Sequence, residues 1–342
     1  MERTASRTEA PGSDTWPALV YRDWQPTCET LHLWTQIVGK IRLAQTPWQI
    51  HSWHATLYVT ASGLTTSPIP YGTRSFQIDL DFVEHALVIR ADDGAPRTLP
   101  LQAESVAAFH SRLFRALGDF GLHVTINGRP NEVPDPIPFA EDDVHAAYDP
   151  QYVRRFHRVL LAADRALKDF KTSFLGKSSP VHFFWGSVDL AVTRFSGRPA
   201  PPHPGGIPNL PDDVTREAYS HEVSSAGFWP GGGPTDYAAF YSYAYPAPPG
   251  FDAARVRPAE AFYAASLGEF LLPYEEMRTS ADPDAALRGF LQSTYAAAAD
   301  AGQWDRASLE CSRGAPRVPR ALAASAQELR TPAVDGRGAG KE

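Results

Sequence analysis

Apolar residues recur with a helical period in four stretches of the chain. Over residues 27–45, Leu31, Trp34, Ile37, Val38 and Ile41 form one stripe; over 104–118, Val106, Phe109, Leu113, Phe114 and Leu117 form another. Spacing of i, i+3 or i+4, and i+7 buries one face of a helix. Two further helices are expected to open at Asp149-Pro150 and Asp282-Pro283. An aspartate there accepts from free first-turn amides, and a proline at the first helical position gives up only a donor that would go unused. The first carries Val153, Phe156, Leu160, Leu167 and Phe170, the second Leu287, Phe290, Leu291 and Thr294.

Elsewhere the period falls to two. Gln77 to Phe82 alternates polar and apolar, as a strand with one wet face does. His182 to Phe195 is apolar on both parities, which fits a strand or hairpin covered on both sides. Tyr237 to Tyr245 puts Tyr237, Tyr241, Tyr243 and Tyr245 on one face and Ala238, Phe240, Ser242 and Ala244 on the other. The pattern predicts an α+β fold of antiparallel sheets flanked by helices.

The two halves of the chain echo each other. Pro47-Trp-Gln-Ile-His-Ser-Trp followed by Leu57-Tyr-Val-Thr-Ala-Ser-Gly matches Pro180-Val-His-Phe-Phe-Trp followed by Leu190-Ala-Val-Thr-Arg-Phe-Ser-Gly. Each follows a long helix, so an internal duplication of a helix–strands–helix unit is expected. The expected division is a disordered tail at 1–15, a first unit at 16–126 and a Pro-rich linker at 127–148. A second unit at 149–310 carries the candidate site, and a disordered tail fills 311–342. The Gly-Arg-Gly-Ala-Gly-Lys run at 336–341 lacks the residues and the following helix that a phosphate loop requires.

Composition changes this picture little. The chain has 342 residues, 43% of them apolar and 21% charged, with a net charge of −7, which are ordinary globular values. An acidic chain without a basic block is a poor partner for nucleic acid. No apolar run approaches the roughly 20 residues that cross a bilayer, and no signal peptide is read. Cys28 and Cys311 lie far apart, so a cytoplasmic location is expected. Of the 32 basic residues, 27 are arginine, and no lysine falls between Ser178 and Gly340. Biased base composition explains that excess, as does arginine held ready for anionic groups.

Candidate chemistry gathers around residues 196–234, which are rich in Pro and Gly yet carry Tyr219, Phe228 and Trp229. A long loop holding buried-type aromatics is expected to fold over the sheet as a lid or pocket wall. Around it His221 and Glu222 are candidates for proton transfer. Trp185, Arg194, Arg198, His203, Tyr219, Trp229 and Tyr241 are candidates for holding a small, anionic molecule. Arg194 shares parity with Val188, Leu190 and Val192, so it is expected to point inward, toward either a carboxylate such as Glu222 or Glu275 or an anionic ligand. His182, His203 and His221 are the candidate metal ligands, although their spacing is loose and no cofactor is implied. No G-x-S-x-G elbow is present.

The stretch Ala200-Pro-Pro-His-Pro-Gly-Gly-Ile-Pro-Asn-Leu-Pro-Asp, with Glu217-Ala-Tyr-Ser-His-Glu-Val-Ser-Ser-Ala-Gly-Phe-Trp-Pro-Gly-Gly, resembles the bacterial proteins grouped as domain of unknown function 5996. Trp48 to Pro70 and Phe270-Leu-Leu-Pro-Tyr-Glu fit as well, and the resemblance covers roughly residues 16–310. It implies a soluble bacterial protein and transfers no mechanism. Two functions are then open: a pocket under the 196–234 loop that binds or converts a small molecule, or a non-catalytic scaffold or protein-interaction module. Convergence of His182, His203 and His221 would favour the first, and their dispersal the second.

Overall fold

The computed structural model describes residues 15–233 and 235–319. Helix α1 (Tyr21–Gln45) precedes strands β1 (Tyr58–Val59), β2 (Gly63–Thr65), β3 (Ile69–Tyr71), β4 (Arg74–Asp81), β5 (Ala86–Ala91) and β6 (Arg97–Pro100), and helix α2 (Val106–Asp119) follows. Helix α3 (Pro150–Lys171) leads into β7 (His182–Phe184), β8 (Asp189–Pro199), α4 (Asp212–Ala218), β9 (His221–Trp229) and β10 (Ala239–Tyr245). Strands β11 (Phe262–Ala264) and β12 (Glu269–Pro273) and helices α5 (Tyr274–Thr279), α6 (Pro283–Ala301) and α7 (Arg306–Leu309) complete the order. The class is α+β, with two open antiparallel sheets.

All four periodic helices form, and their starts have the expected chemistry. The Asp149 carboxylate accepts from the amides of Gln151 and Tyr152, and that of Asp282 accepts from Ala285. The first sheet runs β1-β2-β4-β5-β6, with β3 also on β4; the second runs β11-β12-β10-β9-β8-β7. Their edges touch where Leu57, just before β1, exchanges backbone hydrogen bonds of 3.0 and 2.8 Å with Phe183 of β7. One hydrophobic core runs through both halves, from Trp16 to Trp304. Helices α3 and α6 pack on one face of the second sheet, against Leu190, Val192, Phe228, Phe240 and Leu272.

Three segments differ from expectation. Residues 127–148 are tied into the body of the protein instead of running as an extended connection. Asn131 exchanges two hydrogen bonds with the Gln36 side chain, at 2.8 and 2.9 Å, and Phe139 is fully buried. The 196–234 stretch is only partly loop, because it contains the end of β8, all of α4 and β9, a central strand. Within β9 the Ser224-Ser225-Ala226-Gly227 run is small, as a strand must be when large rings lie across it. The tail placed from 311 onward begins as ordered chain. The Cys311 amide donates to Ser173 O at 3.2 Å, the Gly314 amide to Thr172 Oγ1 at 3.0 Å, and Arg313 pairs with Asp169. The 1–14 part of the first tail, the rest of the second and the glycine-rich 336–341 run lie outside the described residues.

Candidate functional site

Residues paired across neighbouring strands share a face, so register decides what meets on the side of the second sheet away from α3 and α6. Tyr241, Tyr243 and Tyr245 of β10 stand opposite Gly227, Ser225 and Val223 of β9, and Gly227 in turn stands opposite Ala191 of β8. A side chain at Gly227 would come within 2.6 Å of Tyr241 Cζ. The bare glycine therefore lets the Tyr241 ring lie across β9, and its hydroxyl reaches β8 to donate to Asp189 Oδ2. Ser187, in the β7–β8 turn, donates to Asp189 Oδ1 at 2.7 Å. Tyr241 and Tyr243 stack, and the Tyr243 and Tyr219 hydroxyls lie 2.8 Å apart.

Three carboxyl groups converge on this tyrosine layer. Asp189 is 7% exposed, and burial raises its pKa against the lowering effect of the Tyr241 and Ser187 hydrogen bonds. Glu132 packs over Gly186, where a Cβ would overlap its carboxylate. Glu269 lies one residue beyond the Ser242–Phe270 pair, beside Tyr243. Burial, reinforced by the Asp189 charge, pushes both glutamates up to about 7. Among the described residues no ion pair joins any of the three: Lys40, close by, donates to the Asn131 side chain. Tyr219 and Tyr241 are held well above their ordinary pKa, first by burial, so their hydroxyls remain protonated donors.

The chain that closes over this face comes from two places. Tyr245 donates to Pro201 O at 3.0 Å, and the His203 ring stacks on Tyr219 with centroids 4.8 Å apart. Residues 208–209 are sewn to 131–133: the Glu132 amide donates to Pro208 O at 2.8 Å, and the Asn209 side chain to Val133 O at 2.7 Å. The residues read as lid and as linker thus form one cover. Two open hollows of about 590 and 680 Å³ lie elsewhere, along the end of α3. The lysines in the first are engaged, Lys168 with Asp164 and Lys171 with Ser179 O.

Of the residues singled out from sequence, Tyr219, Tyr241 and His203 come together here, and Trp229 packs beside Tyr241. Trp185 is separate: its indole donates to Ala55 O at 2.7 Å and lies against Gly39 of α1. Arg194 projects to the opposite face, as its parity requires, and is fully buried. Its guanidinium sits 3.5 Å from the Phe170 ring centroid and 4.3 Å from that of Tyr295, and it donates to Phe170 O and Ser173 Oγ. Burial lowers its pKa to about 10. Aromatic faces and a helix-end carbonyl hold this charge, and neither Glu222 nor Glu275 bonds to it.

His221 and Glu222 point apart, as adjacent strand residues must. Glu222 accepts from Arg198 at 2.6 Å and from Ser196 at 2.8 Å, while Arg198 also donates to Gln303 O beyond the end of α6. This pair closes over the end of α6, so Arg198 and Glu222 are engaged with one another and with Gly302 O and Gln303 O. The three candidate metal ligands do not converge, and this dispersal counts toward the scaffold reading, so any small-molecule site must rest on other residues. His182 bonds to Thr56 at 3.2 Å and is held neutral, its pKa pushed down to about 3 by burial; His203 stacks on Tyr219; His221 meets His51 edge-on. Among the described residues no group of His, Cys, Asp or Glu is arranged to hold a metal ion, and no helix is long and apolar enough to cross a membrane.

Asp189 lies within the apolar His182–Phe195 stretch, where a lone acid stands out, whereas Glu132 and Glu269 carry no sequence signal of their own. The model of a family of unknown function, DUF5996, matches residues 16–311, and the chain belongs to that family. No curated protein and no solved structure matches it.

Proposed function

We propose that the tyrosine-lined face of the second sheet binds a small organic amine, and that Glu132, Asp189 and Glu269 hold its ammonium group. The observation that carries this reading is the meeting of three carboxyl groups on one aromatic layer, with no ion pair to any of them among the described residues. A buried carboxylate such as Asp189, with the half-buried Glu132 and Glu269 beside it, is stabilised by a cation or a proton, and an ammonium ion supplies both charge and hydrogen-bond donors. Tyrosine faces favour the same ligand through their quadrupole. Arg194 and Arg198, the arginines expected to hold an anion, are engaged by Phe170, Ser173, Glu222 and the end of α6. With two glutamates titrating near pH 7, the ligand also meets groups able to exchange protons at neutrality.

The repetition of helix, antiparallel strands and helix supports reading the chain as a doubled unit in which the first copy is structural. In its sheet the strand acid Asp79 is already paired with Arg90. Thermal-shift and calorimetric titration at pH 8 with mono- and diamines, polyols, carboxylates and phosphate esters tests the amine site. Amines alone should bind, and a ligand at a hundredfold excess over Kd should add about 3 kcal/mol of stability. Glu269→Gln should abolish the shift. Binding by the anions instead would refute the proposal, and no binding at all would favour the scaffold reading.

A further inference from the structure

A second group of reactive side chains lies outside the tyrosine face, at the start of β9. His51 and Ser52 both have left-handed backbone, with φ of 62° and 58°. Two successive residues with side chains in that region are costly and persist only where surrounding contacts hold them. The contacts here are specific. His51 is 5% exposed, its Nδ1 lies 2.7 Å from Ala218 O, and its ring packs on Phe195 with centroids 4.6 Å apart. A carbonyl can only accept, so Nδ1 carries the proton and Nε2 presents a lone pair. That lone pair faces Lys177 Nζ at 2.6 Å. Lys177 is itself exposed and rests over the Phe195 and Trp53 rings. His221 stands edge-on to His51 at 5.9 Å, and Glu217 is the acid facing Lys177.

We infer that Lys177 is a reactive amine that forms an imine with small aldehydes or ketones, with His51 as its proton acceptor. An exposed lysine ordinarily holds its proton and is a poor nucleophile. Here a proton leaving Nζ passes directly to His51 Nε2, and the resulting imidazolium keeps its Nδ1–H bond to Ala218 O. The freed lone pair adds to the carbonyl carbon; the carbon–oxygen π pair moves to oxygen, which takes the proton that the now cationic Nζ gives up, leaving the neutral carbinolamine. His51 then returns its proton to the departing hydroxyl, water leaves, and the protonated imine remains on Nζ. Burial weakens the hold of both groups on a proton and the charges of Lys177 and His221 add to this at His51, whereas Glu217 acts in the opposite sense on Lys177.

The test is reductive alkylation of the full chain with propanal and cyanoborohydride at pH 7, with occupancy at each lysine read by mass spectrometry. Lys177 should be labelled about tenfold faster than Lys168, an exposed lysine paired with Asp164. His51→Asn tolerates left-handed backbone and cannot accept the proton; in a variant that still folds it should bring Lys177 to the Lys168 rate. If that variant is unstable, the pH profile of wild-type labelling decides. Lys177 should keep its reactivity to lower pH than Lys168. Equal rates for the two lysines, or unaltered labelling in a folded His51→Asn, would overturn the inference.

Discussion

Gly39→Ala should destabilise the protein by roughly 4 kcal/mol, a large effect for a single added methyl group. Gly39 lies on α1 against the Trp185 indole, and a Cβ there would overlap the ring atoms nearest the backbone, which cannot swing aside as a flexible tip could. Forcing a well-packed side chain off its position costs about 3 kcal/mol at the upper end of the usual range. The shift also breaks the 2.7 Å bond from Trp185 Nε1 to Ala55 O, worth about 1 kcal/mol. Gly118→Ala in α2 is the control, since nothing lies within 4 Å of its would-be Cβ. Alanine there should be neutral or stabilising by up to about 1 kcal/mol. Urea unfolding of both variants measures the difference. Trp185 opens the turn that carries Gly186, Ser187 and Asp189, so Gly39→Ala should weaken amine binding as well.

Glu269→Gln should stabilise the protein at pH 8 by about 2–3 kcal/mol and do almost nothing at pH 4.5. The folded chain holds the Glu269 proton up to about pH 7, whereas the unfolded chain releases it near 4.5. Across that window the folded state binds more protons, so stability falls as pH rises, and the loss is complete above 7. Each pKa unit is worth about 1.4 kcal/mol, and the partial exposure of Glu269 trims the total. His32 and His182 contribute the opposite slope. Burial lowers them to about 4 and about 3, so the stability that they contribute as neutral groups is lost as pH falls below the ordinary histidine range. The difference between variant and wild type cancels the histidines and isolates the glutamate. Thermal unfolding from pH 4.5 to 8 measures it, and a variant less stable than wild type at pH 8 would show that Glu269 is compensated in the free protein. Stabilisation on removing a charge is the signature of a residue kept for a ligand at a cost to folding.

Local pattern carried much of the fold and little of the site. The four helices, the hairpin after His182 and the tyrosine face of β10 follow from period and capping alone, because those signals are written within a few residues. The central strand β9 was hidden inside the stretch read as one long loop, because its small Ser224 to Gly227 run makes sense only once Tyr241 is seen lying across Gly227. Parity was enough to send Arg194 inward, but its partners are rings from α3 and α6, and no sequence spacing announces an aromatic cage. Glu132 sits in a segment that reads as linker, and Glu269 on a strand apolar on both faces. Their meaning arises only when the 131–133 and 200–211 segments close over one sheet face. Histidines attract attention by residue type; here His182 and His203 serve packing and hydrogen bonding, and the uncompensated charge lies on the acids.

The most direct measurement is a carbon-13 NMR titration of the glutamate carboxyl groups, with Glu132 and Glu269 assigned by substitution, in the free protein and with a bound amine. Both should titrate near pH 7 when free and fall below their ordinary range when the ammonium ion is in place. Midpoints near 4.5 in the free protein, unmoved by amines, would mean that the acids are already balanced and that the tyrosine face is not an amine site.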